Sequence, residues 1–434
     1  MERCGRKAAD EMGRTATGWT RRLAWICAAI GLLSLGLAAC ATPAPPTPTP
    51  EPVQIRFAYS AGQEGYYDGL IEAFNESHPY IEVERRTMRT LETWRYLFEQ
   101  GEVDAFVFSG GDPVFAELVE EDALLDLGPL LDVDPIDLDD AYPSILEPFT
   151  WGGSVWAIPH DVNLAVLYYD KDVFDQYGAS YPEFEWTWDD LLQAATQIRD
   201  LDQDVYGLVA DPYFSIPLIY QHGGRIVDDW SVPTQLMLDD PLTVDAIEWF
   251  ADLSLKYDVM PSPKTARERF GQDGSAGYIF WRRRAGMYMG WLSDRGGESW
   301  GPGADWQMEW GMVPLPQDAQ AATLGLVSAH AITAQTEHPD ACWEWVAYLT
   351  GEMPPYGMPA FKSLAESDAY QQRVGDLAYE VALESIDGAL IIAQTDPEIQ
   401  FDMEAYMAAL VEVLNGDVGA AEAMSRVASE MQPE

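Results

Sequence analysis

The chain has 434 residues and a formal net charge of -47, from 72 Asp/Glu against 25 Lys/Arg. That balance argues against a nucleic-acid partner, whose phosphates need cationic contacts, and against an anionic membrane surface. It is equally the signature of solubility in a salty or acidic medium. With 47% hydrophobic and 12% aromatic residues, the composition supports sizeable cores, and the length suits two domains.

In chain order, Arg21 and Arg22 precede an apolar run that stops at Cys40. A basic segment, an apolar segment and small residues before the cut form a secretory signal, and the run is short for a bilayer span. The ending Leu37-Ala38-Ala39-Cys40 resembles the lipobox of bacterial lipoproteins. That resemblance implies a signal peptide over 1–39 and a diacylated Cys40 as the mature first residue, since two acyl chains anchor firmly. An ordinary secreted protein that carries Cys40 unmodified is the alternative. Residues 40–52 then form a linker of the lipidated cysteine and a Pro/Thr-rich tract that cannot pack and favours extended conformations. Of the other cysteines, Cys4 and Cys27 lie in the leader, so Cys342 stands alone and neither a disulfide framework nor a cysteine metal site is available.

Alternation predicts a strand over 53–59, a helix over 66–77 stopped by Pro79, and a strand from Ile81. A helix over 91–100 and a strand over 103–108 follow, ending at Ser109-Gly110-Gly111. This order at this spacing indicates an α/β layer with a mainly parallel sheet. Residues 112–150 read as short helices and acidic loops, then 155–159 and 163–169 as two strands. Thr187-Trp188-Asp189-Asp190 has capping-box spacing before a helix that turns Leu191, Leu192, Ala195 and Ile198 inward. Asp240-Pro241 sets another N-cap, for a helix burying Leu242, Ala246, Phe250 and Leu253. Beyond it, 286–290 reads as a short strand, 311–316 as an extended connection, 329–332 as a strand and 339–350 as a helix closed by Gly351. Residues 363–432 are mostly helical.

No catalytic set stands out. Carboxylates are too abundant for any pair to be informative, and the histidines at 78, 160, 222, 330 and 338 lack metal-ligand spacing. His160-Asp161 is adjacent in a strand, which sends the two side chains to opposite faces. Arg282-Arg283-Arg284 is the one basic run, best read as salt-bridged or solvated. What the chain does have is aromatic residues where strands end and glycines begin. Phe108 precedes Ser-Gly-Gly, Trp151 precedes Gly-Gly, Tyr213 follows Asp211-Pro212, and Trp291 follows Met-Gly. In α/β folds ligands bind beyond the carboxyl ends of strands. Aromatic faces suit the C–H faces of sugar rings, while carboxylates and amides take the hydroxyl groups.

Several stretches together resemble the extracellular solute-binding proteins of ABC importers, in the group of maltose-type and multiple-sugar-binding lipoproteins. They include Asn75-Glu-Ser-His-Pro-Tyr-Ile-Glu-Val83, Trp156-Ala-Ile-Pro159, Leu167-Tyr-Tyr-Asp-Lys-Asp-Val-Phe174 and Trp186-Thr-Trp-Asp-Asp-Leu191. Ala285-Gly-Met-Tyr-Met-Gly-Trp291, Trp310-Gly-Met-Val-Pro-Leu-Pro316 and Ala341-Cys-Trp-Glu-Trp-Val-Ala-Tyr-Leu-Thr-Gly351 continue the order. The resemblance implies a periplasmic-binding-protein-like α/β fold of two lobes joined by a multi-crossing hinge, with the ligand cleft between them. The first lobe would hold 53–160 and 313–352, the second 161–312 and 353–434 with hinge-side C-terminal helices. It also implies an extracytoplasmic monomer with no catalytic residue, cofactor or metal, which captures a small molecule, a sugar first among the candidates, and docks on membrane permease subunits. Matched to the family's pattern, the ligand-binding residues would be Tyr59, Ser60, Phe108, Asn163, Asp211, Tyr213, Trp291 and Gly325. The glycine pair 110–111 stands where maltose-type proteins can place polar sugar contacts, which speaks against maltodextrin. A polyamine or other small polar solute as ligand, a glycan hydrolase and a surface adhesin remain alternatives from the residues themselves.

Overall fold

The computed structural model describes residues 52–431, except 110–117, 119–120, 231–232, 272–273, 301–302 and 393–400. The signal peptide, Cys40, the Pro/Thr tract and Gly110-Gly111 therefore lie outside the described residues. Strand β1 (Val53–Ser60) pairs in parallel with β2 (Ile81–Met88) along its whole length and with β3 (Ala105–Ser109) at Phe57 and Ala58. The helices Glu64–Ser77 and Leu91–Glu99 connect them, so the expected alternation of strand and helix is present. Tyr67, Ile71 and Phe74 form the buried stripe of the first helix. Arg56 fixes the register of β3 from inside: its Nε, Nη2 and backbone N–H donate to the Asp104 carboxylate at 2.7, 2.9 and 2.8 Å. Burial alone would raise the Asp104 carboxyl, but these bonds outweigh it and hold the group below its ordinary value.

The segment after residue 150 departs from expectation. Val155–Pro159 is not a strand of its own: Val155 ends a hairpin, while Ile158 and Pro159 already belong to the next long strand. Instead β4 (Thr150–Trp151) and β5 (Ser154–Val155) form a small hairpin, turned by Gly152 and Gly153 at φ +64° and +86°. The chain then runs as one long strand, β6 (Ile158–Asp170). Its alternate residues serve two cores: Val162, Leu164, Val166 and Tyr168 join one, Ala165, Leu167 and Tyr169 the other. Strand β7 (Tyr206–Val209) lies parallel to β8 (Ala285–Trp291), and β8 pairs with the distal half of β6. The stretch from 310, expected as a mere connection, is β9 (Trp310–Pro314), also on the distal half of β6. Strand β10 (Thr323–Ile332) is longer than the expected 329–332; it runs beside the proximal half of β6 and meets β3 at its far end. Short strands β11 (Met358–Pro359) and β12 (Ala389–Ile391) pair with β6 and β10. The order β2-β1-β3-β10-β6-β8-β7 is thus continuous, and β6 and β10 carry it between two α/β lobes.

Residue 161 lies inside β6, Val313 pairs with Leu167 on the distal half of that strand, and β10 from Thr323 lies along its proximal half. Residues just after 353 pair with a segment far earlier in the chain. Phe361 bridges Ala141, and the Ser363 backbone N–H and hydroxyl donate to Asp140, both in the first lobe's stretch. Helix Asp376–Ile386 packs on β9, and helices Met403–Leu414 and Ala420–Glu430 pack on helix Pro241–Leu255.

Local signals read well. Thr187 and Asp190 form the capping box of helix Trp188–Ile198, and Asp240 caps the helix that begins with Pro241. Leu242 is a correction: it is 44% exposed, because the buried stripe runs one residue round the helix through Thr243, Ala246, Ile247 and Phe250. Helix Pro339–Thr350 ends at Gly351 and buries Cys342, Trp343 and Trp345, and burial pushes the Cys342 thiol up to about 12. In the basic run, Arg283 pairs with Asp170 and Asp172 at 2.9 Å each, while Arg282 and Arg284 are exposed.

Candidate functional site

Because β7 and β8 are parallel neighbours, their carboxyl ends face the same way, and each continues into a site residue. Asp211 precedes the tight turn Pro212–Phe214, which swings Tyr213 and Phe214 toward the end of β8. Trp291 closes β8, with ring centroids 6.2 Å from Tyr213 and 5.5 Å from Phe214. Tyr213 and Trp291 are half-buried, leaving part of each ring open, while Phe214 packs beneath. Burial pushes the Tyr213 phenol up to about 12, so it is a neutral hydroxyl that can donate.

Solvent reaches Asp211, yet protein surrounds it closely enough that burial raises its carboxyl above the ordinary value, with Asp294 adding repulsion. Its protein partner is the Ala276 backbone N–H at 3.4 Å. No ion pair to it forms among the described residues. A carboxylate so placed has acceptor capacity to spare.

The carboxylate that organises the site is Asp294, buried at 6% exposure. One oxygen accepts from the Trp291 backbone N–H and the Tyr288 hydroxyl, each at 2.9 Å. The other accepts from the Trp300 indole at 2.8 Å and the Ser299 hydroxyl at 3.3 Å. On the far side, the Tyr168 hydroxyl donates to the Trp291 carbonyl at 2.8 Å. A cavity of about 460 Å³ opens beside Asp211, walled by Ser275, Gly277, Tyr278, Trp281 and Trp300. A second, of about 300 Å³, shares Asp211 and Ser275 and extends past Met260 and Arg267. Sequence reasoning missed Phe214, Asp294 and the residues 275–300 of this wall. The pairing of Gly277 with Tyr278 and Trp281 was a usable signal, since a Cβ on Gly277 would come within 2.8 Å of the Trp300 ring.

Of the eight expected contacts, the structure brings Asp211, Tyr213 and Trp291 together. Ser60 is exposed at the end of β1, its N–H donating to Gln63 Oε1 at 3.1 Å. The other four are placed differently. Tyr59 is fully buried, stacked on Tyr67 with its hydroxyl donating to Asp68 at 2.7 Å, because its side of β1 faces the helices. Phe108 is buried against Phe106 and Phe149. Gly325 lies between β6 and β12, where a Cβ would meet Ile391 at 2.5 Å, so it is packed rather than lining a cleft. Asn163 uses both ends of its amide on Ser293, donating at 2.9 Å and accepting at 3.0 Å, and so ties β6 to the turn after Trp291. His160 bonds Tyr66 at 2.9 Å. Among the described residues there is no cluster of three or more His, Cys, Asp or Glu suited to a metal, and no helix long and apolar enough to cross a membrane.

The family model described as bacterial extracellular solute-binding protein matches residues 60–353. The arabinooligosaccharide-binding protein of Halalkalibacterium halodurans is 22% identical over 361 residues, 77% of this chain and 76% of that one. An ABC substrate-binding protein of Listeria monocytogenes in complex with cycloalternan superposes with a TM-score of 0.74 at 18% identity, covering 88% of this chain and 98% of that one. Maltose-bound MalE3 of T. maritima gives 0.69 at 19%, covering 87% and 99%. With the family model matching 60–353, well over half of the chain, and a shared two-lobe fold, the chain belongs to the bacterial extracellular solute-binding protein family.

Proposed function

We propose that this protein is the substrate-binding lipoprotein of an ABC importer, which captures a neutral mono- or oligosaccharide outside the membrane and delivers it to the permease. The observation that carries the reading is the open aromatic pair Tyr213–Trp291 beside the Asp211 carboxylate, at the joined carboxyl ends of β7 and β8. An aromatic ring takes the C–H face of a sugar, and a free acceptor next to it takes the hydroxyls. The carbohydrate-binding relatives support the class of ligand without naming the sugar. Ser60, exposed on the first lobe, would complete the contact as the lobes close, and the protein acts without chemistry or cofactor. Cys40 would anchor it to the membrane.

The unpaired Asp211 beside aromatic rings also fits an ammonium group, so a polyamine is the second reading. Thermal-shift and calorimetric screening of sugars, putrescine and spermidine separates the two. Stabilisation by a sugar, with affinity nearly independent of salt, is expected. Stabilisation by spermidine or putrescine and by no sugar refutes the sugar reading, and release of a cleaved product from any oligosaccharide refutes the binding-only role.

A further inference from the structure

The cavity beside Asp211 has no role in a site built only on Tyr213 and Trp291, yet its walls have the same chemistry. Tyr278, Trp281 and Trp300 are each half-buried, so part of every ring faces outward. Two of them come from one short helix, Ala276–Trp281, and the third from the turn after β8. The third is held deliberately close. Gly277 leaves the space that the Trp300 ring fills, and Asp294 grips the Trp300 indole N–H at 2.8 Å. Asp294 grips the Trp291 backbone N–H at 2.9 Å with its other oxygen. One buried carboxylate therefore sets both the wall of the cavity and the aromatic platform. Asp211 belongs to both, lining the cavity while it precedes the turn that carries Tyr213. At about 460 Å³ the space is of the size that encloses a small organic ligand.

We infer that the Tyr278–Trp281–Trp300 cavity is a second ring-binding compartment, and that the ligand is an oligosaccharide of two or more units reaching across Asp211 from the Trp291 platform. The inference rests on the sugar-binding reading and narrows it. A monosaccharide on the platform would leave the cavity to water. A chain of rings fills both, places the ring hydroxyls that flank its linkage at Asp211 and Ser275, and lays an apolar ring face on a second set of aromatics. The cavity wall then decides ligand length, while the platform contributes to every ligand.

The full chain is titrated calorimetrically with ladders of one to five units drawn from α-1,4-glucan, α-1,5-arabinan, β-1,4-xylan and β-1,4-mannan. At least one ladder is expected to bind, with its disaccharide or a longer member at least about tenfold tighter than its monosaccharide. Trp281→Ala should weaken the longer member by about tenfold and the monosaccharide much less. Trp291→Ala should weaken both. Trp281→Phe keeps an aromatic face and should restore most of the length-dependent gain. Gly277→Ala, which crowds Trp300 from a different position, should reduce that gain as Trp281→Ala does. Melting curves identify any variant that has lost its fold, and the remaining variants carry the comparison. A monosaccharide that binds as tightly as its longer relatives overturns the second compartment while leaving sugar binding intact. An equal loss for short and long members in Trp281→Ala does the same. Absence of binding across every ladder and its monosaccharide overturns the sugar reading itself, and the inference with it.

Discussion

Trp291 and Trp345 both sit in regular elements, and burial separates their roles. Trp345 is 0% exposed and meets Phe57 and Phe74 edge-on at 5.3 and 5.0 Å, inside the first lobe. Trp291 keeps an open surface over Tyr213. Trp345→Ala is therefore expected to cost about 3–5 kcal/mol of stability by denaturant unfolding, with ligand affinity unchanged in the molecules that remain folded. Trp291→Ala should do the reverse: a fold that melts near the parent and an affinity lower by about 2 kcal/mol or more in calorimetry. An unchanged affinity removes Trp291 from the site. Tyr59 and Gly325 show the limit of reading single residues. Each stands near a strand end as its motif suggests, but a strand has two faces, and Tyr59 points to the helices while Gly325 lies under Ile391.

At the scale of elements, the crossing strands β6 and β10 hold a buried cluster of titratable groups. His160 bonds Tyr66, His330 bonds Tyr67, and the two imidazoles lie 5.0 Å apart. Burial lowers His160 from 6.5 to about 4 and takes His330 well below its ordinary value, the neighbouring histidine adding to the second. In the window from pH 6.5 to 4 the unfolded chain binds protons that these histidines refuse, so their contribution makes stability fall as pH falls. Asp161 acts with the opposite sign. Burial raises it from 3.8 to about 7, against a hydrogen bond from Ser328, so the native state binds the extra proton and gains stability on acidification through that range. Melting temperature against pH is expected to drop less steeply in His160→Asn than in the parent, and more steeply in Asp161→Asn. Packing between elements gives a second expectation. A Cβ on Gly207 of β7 would lie 2.2 Å from the Ala195 carbonyl oxygen of helix Trp188–Ile198. Backbone cannot step aside as a side-chain end can, so Gly207→Ala should cost about 1–3 kcal/mol in denaturant unfolding.

For the whole molecule, β6 and β10 run through one continuous sheet order, so closure of the lobes on a ligand is expected to bend these two strands. A ligand that contacts both lobes favours the closed state by its differential affinity for the two states. A sugar at a hundredfold excess over its dissociation constant should raise unfolding free energy by about 2.7 kcal/mol, and small-angle scattering should show a smaller radius of gyration. A ligand that raises stability without contraction would place binding in one lobe alone. At the other end of the chain, protein extracted from membranes of its native host is expected to begin at Cys40 and carry diacylglycerol. An intact mass without the lipid, or a start well beyond residue 40, overturns the anchor.

The sequence by itself determined the local rules. The alternating run at 53–59 became β1, the strands expected from Ile81 and over 103–108 became β2 and β3, the Thr187–Asp190 capping box formed as spaced, Pro241 opened its helix and Gly351 closed another. It also carried the family, because motif order survives in a chain even when each motif is weak. These features depend on a few neighbouring residues, whose preferences are set by backbone sterics and hydrogen bonding. Only the tertiary structure decided where 313–322 and 353–365 pack, since that depends on which half of β6 a distant strand meets. It likewise decided which aromatics stay open. Trp300 reaches the cavity through a carboxylate six residues before it and a glycine on another helix, contacts that no periodicity encodes. A hydrophobic ring is buried or left open by what folds over it, and that neighbour is chosen by long-range packing rather than by the ring's own position in the chain.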